Sequence, residues 1–183
     1  MAEALAGSQS AFERIVRRYQ RPIISLILRV LGEKGDRALA EDLAQETFVK
    51  AYRKLAAFDS TRRLSSWLFR IAHNTAVDAL RRSKSRAVPT SRPSAGDIAP
   101  DDMPAASVPD PLETQALGQA LEQALGQLRP EFRAAVMLRY EEGLPFDEIA
   151  HVLGVPETTA RSHVHRARKQ LASLLAASGY GRP

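Results

Sequence analysis

The feature that most limits what this chain can fold into is the stretch from Ser83 to Pro111. It holds Pro89, Pro93, Pro100, Pro104, Pro109 and Pro111 among small and polar residues. Each proline lacks a backbone donor and biases its predecessor away from helical angles, so no helix runs through the stretch. Its apolar content is too low to offset the entropy of ordering it. It reads as an extended linker between two domains. The other reading, a long surface loop inside one domain, is the weaker one because structureless loops of this length are uncommon in compact folds. The expected division is a first domain at 1–84, a linker at 85–112, a second domain at 113–177 and a tail at 178–183.

Both flanks are helical in pattern. Aromatic residues make up only 6% of the 183 positions, and Ala and Leu dominate the apolar set, which favours helix over sheet. Phe12, Ile15, Val16, Tyr19, Ile23, Ile24, Ile27 and Leu28 recur at three- and four-residue spacings and predict a first helix, with Pro22 expected to bend or restart it. After a turn over 31–36, a second helix carries Leu39, Leu43, Phe48, Tyr52 and Leu55 as its buried stripe. A short loop over 58–63 leads to a third helix opening near Ser65 and Ser66, both suitable N-caps. Beyond the linker, Leu117, Leu121, Leu125 and Leu128 mark a helix that stops at Pro130. Further helices are expected over 132–140 and 146–153, then a long final one. Nothing alternates with the period of two that a sheet requires. The expected fold class is all-α, in two small helical domains.

A formal net charge of +5 suits an anionic partner, although charge alone does not name it. There is no cysteine, which excludes disulfides and thiolate metal sites. No run approaches the roughly 18 uninterrupted apolar residues of a membrane span, and residues 1–8 lack the basic and apolar regions of a signal peptide. A soluble, cytoplasmic protein with no membrane span is expected.

The strongest local motif lies in the second half. Ala150 is small where two helices must approach, and Gly154 supplies a left-handed turn residue. Val155 plugs the corner, and Pro156-Glu157-Thr158 starts the next helix. There Ala160, Val164, Ala167, Leu171 and Leu174 face inward. The opposite face presents Thr158, Arg161, Ser162, His165, Arg168 and Lys169. That pattern fits a helix-turn-helix whose second helix enters a major groove, with Thr and Ser reaching base edges and Arg forking onto guanine or phosphate. A plain helical hairpin with a solvated basic face is the bland alternative. His163 and His165 are two apart and do not share a face, so no metal is expected, and no cofactor motif is present.

The first half decides the class. Ala40-Glu41-Asp42-Leu43-Ala44-Gln45-Glu46-Thr47-Phe48-Val49-Lys50-Ala51-Tyr52-Arg53-Lys54-Leu55 resembles the polymerase-binding helix of sigma region 2. Phe58 together with the run Ser66-Trp67-Leu68-Phe69-Arg70 through Arg82 is similar to the promoter-melting part of that region. Residues 128–171 are similar to sigma region 4. Two motif sets in this order and spacing resemble the extracytoplasmic-function branch of the sigma-70 family, over roughly 150 residues.

The resemblance implies a function: binding core RNA polymerase through its large subunits, recognising a bipartite promoter and melting it. Polymerase binding would fall to Asp42, Gln45, Glu46, Lys50 and Arg53. Phe58, Ser65, Ser66, Arg70, Asn74 and Asp78 would read the minus-ten element, and Arg62, Arg63, Arg81, Arg82 and Lys84 would hold its phosphates. Thr158, Thr159, Arg161, Ser162, His165, Arg166, Arg168 and Lys169 would read the minus-thirty-five element. Promoter DNA, duplex and single-stranded, and an anti-sigma factor are the further partners implied. Trp67 and Phe69 belong to the core or its rim. Thr158, Ala160 and His163 depart from the residues usual in the family, so base preference does not carry over. The linker acids Asp97, Asp101, Asp102 and Asp110 would mimic phosphate in the polymerase channels.

Two rivals stand beside this reading. Another helix-turn-helix regulator explains the second half but leaves 42–53 and 58–82 without a role. An enzyme lacks support, since no nucleophile, phosphate loop or metal-ligand pattern is present and catalysis would belong to the polymerase.

Overall fold

The computed structural model describes residues 5, 7–32, 35–84 and 111–180, and all of its regular elements are helical. Side chains at 84 and 111–114 lie outside the description. So do the linker acids. The helices are α1 (Gln9–Leu31), α2 (Arg37–Arg53), α3 (Leu64–Lys84), α4 (Pro111–Gln127), α5 (Pro130–Tyr140), α6 (Phe146–Leu153) and α7 (Glu157–Leu175), with a short 3-10 turn at Leu55–Ala57.

Ser8 caps α1 by accepting from the Ala11 amide at 3.4 Å. The helix then runs through Pro22 to Leu31, so of the two outcomes expected at Pro22, a bend or a restart, the restart does not occur. Ile23, Leu26 and Ile27 just beyond the proline are fully buried, and that packing outweighs one lost backbone bond. Asp36 caps α2 through the Leu39 amide at 2.7 Å. In α3, the Trp67 amide already bonds to the Arg63 carbonyl at 3.2 Å. Ser65 and Ser66 therefore sit inside the first turn rather than at the cap, and the Ser66 hydroxyl is buried without a partner. The helix α4 begins at Pro111, the last proline of the stretch.

The first unit packs α1, α2 and α3 around Leu43, Phe48, Leu68 and Phe69. Tyr19 meets Phe69 edge-on at 6.4 Å. Thr47 is fully buried, but its hydroxyl donates to the Leu43 carbonyl at 2.8 Å, which settles its polarity. The expected stripe on α2 is only half right, because Leu39 and Tyr52 are 37% and 53% exposed.

In the second unit, α6 ends on Gly154 at φ 66°, ψ 36°, and α7 follows at once. Ala160, Val164, Ala167 and Leu171 are buried, and Leu174 packs partly against them. Leu125 and Leu128 are buried as expected, whereas Leu117 and Leu121 are exposed. Arg133 is the residue that closes this unit. It is buried and donates to the carbonyls of Gly126 at 2.7 Å and Leu128 at 2.8 Å, satisfying the C-terminal carbonyls of α4.

The two units do not stand apart. The helices α1 and α3 pack against α5 and α6, and one continuous apolar core runs from Ala11 to Val164.

Candidate polymerase and nucleic-acid interface

On α2, Asp42, Gln45 and Arg53 are exposed. Leu39, Asp42, Gln45, Val49 and Tyr52 recur at three- and four-residue spacings, so they form one outward stripe. Val49 is 49% exposed. The apolar part of this stripe was missed because periodicity assigns every apolar position of a helix inward. Tyr52 leans on Phe12 of α1, edge-on at 5.0 Å. Glu46 and Lys50 turn away from it. They pair at 2.7 Å, and Lys50 donates to the Thr75 hydroxyl of α3 at 3.1 Å. The five polymerase-facing candidates therefore divide, with Asp42, Gln45 and Arg53 on the free face.

The loop before α3 is held by Asp59, which accepts from the Thr61 amide at 2.9 Å and its hydroxyl at 2.7 Å. Those bonds push the Asp59 carboxyl below its usual range. Phe58 packs on Trp67 at 5.2 Å with rings at 63°, so one half-buried aromatic pair seats the loop against the helix. Phe69 is fully buried; Trp67 is the rim and Phe69 the core. In this loop and along α3, Arg62, Arg63, Arg70, Asn74, Asp78, Arg81 and Arg82 are exposed. Ser65 is half-buried and Ser66 is buried, which removes Ser66 from direct reach of a nucleic acid in this conformation. Arg70 is not free: its Nη1 lies 3.0 Å from Nδ1 and 3.2 Å from Nε2 of His151 on α6, and it donates to whichever of the two carries no proton.

On α7, Thr158, Arg161 and Lys169 are exposed, and Thr159, Ser162, His165, Arg166 and Arg168 are partly so. Arg161 pairs with Glu157 at 2.7 Å and lies 4.4 Å over the Phe146 ring, whose surroundings also include Arg139 at 4.8 Å. Ser162 donates back to the Thr158 carbonyl at 2.9 Å. These local bonds hold the outward face of α7 in register. His163 points the other way, against Phe132 at 5.3 Å, and burial lowers its pKa. Among the described residues no group of three or more His, Cys, Asp or Glu is placed to hold a metal, and no helix is long and apolar enough to cross a membrane.

Comparison with known proteins adds identity to this geometry. Residues 15–86 match Sigma-70 region 2, and residues 118–171 match Sigma-70, region 4. The chain is 31% identical to the ECF RNA polymerase sigma factor SigW of Bacillus subtilis, over 92% of this chain and 91% of that one. It is 35% identical to the RNA polymerase sigma-H factor of Pseudomonas aeruginosa, over 92% and 88%. Among solved structures, CnrH in complex with the cytosolic domain of CnrY superposes with a TM-score of 0.64 at 27% identity, covering 96% of this chain and 94% of that one. A sigma factor RpoE bound to the anti-sigma factor NepR from Bartonella quintana has the same TM-score at 24% identity, over 91% and 97%, and shares the fold. With both regions matched in order and relatives aligned along nearly its whole length, the chain belongs to the sigma-70 family, in its ECF branch.

Proposed function

We propose that this ECF sigma factor binds core RNA polymerase through the outward stripe of α2, melts promoter DNA with the loop over 58–63 and α3, and reads an upstream duplex element with α7. The observation that carries this most directly is the Phe58–Trp67 pair that seats the loop on α3, with Arg62, Arg63, Arg70 and Asn74 exposed on the same loop and helix. Single-stranded DNA is held by stacking, bonds to unpaired base edges and phosphate neutralisation, and this surface offers all three. Asp42, Gln45 and Arg53 flank exposed Val49 and Tyr52, a mixed apolar and charged stripe suited to a protein partner.

The division into a minus-ten domain at 1–84 and a minus-thirty-five domain at 113–177, joined by a tether, is part of the same reading. Each unit alone binds DNA weakly, and anchoring both on one polymerase raises the effective concentration of the second for a bipartite promoter. The chain supplies specificity and the polymerase supplies catalysis. An anti-sigma factor is a proposed regulator, motivated by the resemblance to CnrH solved with CnrY.

Run-off transcription on genomic DNA with purified bacterial core polymerase tests the proposal. Discrete transcripts that depend on this chain are expected. No polymerase binding, with a footprint on duplex DNA by the chain alone, would show an ordinary helix-turn-helix regulator instead.

A further inference from the structure

A cavity of about 340 Å³ lies where α1, α3, α5, α6 and α7 come together. Its walls are mostly apolar, built by Val30, Val77, Leu80, Leu153 and Val155. Arg81 and Glu131, both exposed, add one charge of each sign. Ligand cavities run from roughly 300 to 1,000 Å³, with apolar walls and a few polar groups that orient the occupant. This one falls at the small end of that range.

Two of its polar groups have no part in the DNA and polymerase roles above. His73 on α3 and His163 on α7 line the cavity, and Nδ1 of each is buried and bonded to no group among the described residues. Buried polar atoms in folded proteins nearly always have a partner, so two such nitrogens on one cavity call for one. Phe132 fixes the His163 ring, with centroids 5.3 Å apart. Burial lowers the pKa of both imidazoles, against Asn74 at His73 and against Glu131 at His163, where Arg166 adds to the lowering. That favours the uncharged ring, which donates at one nitrogen and accepts at the other.

The walls select among occupants. A water takes up roughly 30 Å³ and needs two to four polar partners, which these apolar walls do not offer to several waters at once. An ion would lose hydration against them, and the opposite charges of Arg81 and Glu131 give no net attraction to either sign. Among the described residues no group of three His, Cys, Asp or Glu is placed to hold a metal.

We propose that this cavity binds a small, uncharged, largely apolar ring compound bearing a hydroxyl group, which His73 and His163 hold by hydrogen bonds. The site would give the chain a response to a small organic molecule, beyond any role in reading promoters.

The test uses the full chain with neither polymerase nor DNA, so it stands apart from the proposed function. The probe is 2-naphthol, with 2-methoxynaphthalene as the matched compound that cannot donate. The chain has four histidines, so long-range proton–nitrogen NMR resolves every imidazole. Titrating 2-naphthol should shift the ring nitrogens of His73 and His163 and leave those of His151 and His165 in place. The dissociation constant should lie below about 1 mM, within reach of a molecule this small. The methoxy compound should bind about fivefold more weakly, as for one lost hydrogen bond. Val77→Phe should fill the cavity and weaken binding at least about tenfold with the helical circular dichroism kept. If Val77→Phe does not fold, His163→Phe decides, and should bring the affinity for 2-naphthol down to that for the methoxy compound. No shifts at 2-naphthol concentrations of about 2 mM, shifts shared by all four histidines, equal binding of the two compounds, or binding unchanged in a folded variant each overturns the proposal.

Discussion

Arg70 on α3 and His151 on α6 are 81 residues apart in sequence, yet the guanidinium donates to the imidazole at 3.0 Å. The contact joins a candidate reader of the minus-ten element to the first helix of the helix-turn-helix. Burial and the nearby Arg70 and Arg62 charges lower the pKa of His151 against the opposing pull of Glu148 and Asp59.

The same direction holds for three of the four histidines, which predicts an acid-sensitive junction. Burial lowers the pKa of His73, opposed by Asn74, and of His163, opposed by Glu131 and aided by Arg166. A folded-state pKa below the unfolded value of about 6.5 contributes stability above that pH, lost as pH falls through the folded pKa. Thermal unfolding should therefore occur at lower temperature at pH 5.5 than at pH 7.5. Glu142, whose pKa is raised by burial and by Glu141, acts oppositely but only nearer the carboxylate range. A His163→Gln variant should show a shallower dependence, and an unchanged melting profile across this window would refute the assignment.

Phe69 is fully buried beneath Tyr19. Phe69→Ala should cost about 3–5 kcal/mol through lost burial and the cavity left behind. Denaturant titration checks this, and a loss under about 1 kcal/mol would mean the site collapses freely.

Gly154 adopts φ 66° with nothing within 4 Å of a Cβ added there. Gly154→Ala should therefore cost only the left-handed backbone penalty, about 1–2 kcal/mol. Circular dichroism should show the fold kept and the unfolding midpoint lowered.

The stripe on α2 predicts a binding defect without a folding defect. Val49→Asp places a charge on an outward position that is 49% exposed, so stability should stay within about 0.5 kcal/mol. Affinity for core polymerase, measured by fluorescence titration, should fall about tenfold or more, as for loss of a central apolar contact.

Arg161→Ala and Asn74→Ala should separate the two DNA roles. Loss of Arg161 should weaken contact at the upstream element by about 1–3 kcal/mol. Loss of Asn74 should leave upstream protection intact and reduce strand opening, read by permanganate reactivity of unpaired thymines. Equal loss of upstream protection in both variants would contradict the division.

The sequence by itself determined the helices and their local architecture. The three- and four-residue spacing in α1 and α7, the turn at Gly154 and the proline stretch are short-range signals, carried by backbone angles and side-chain spacing. The exposed arginines beside Phe58 and Trp67 were legible for the same reason, since residues on one helix and its leading loop are neighbours by construction. What failed locally failed because packing competes with propensity. The helix does not restart at Pro22, where Ile23, Leu26 and Ile27 bury, and Leu39 and Tyr52 face outward despite their apolar character. Only the tertiary structure paired Arg29 with Glu122, 93 residues away, set Arg133 against Gly32, and turned Lys50 toward Thr75. Such contacts depend on where whole helices meet in space. No periodicity within one helix encodes which charge of another will lie within 3 Å of it.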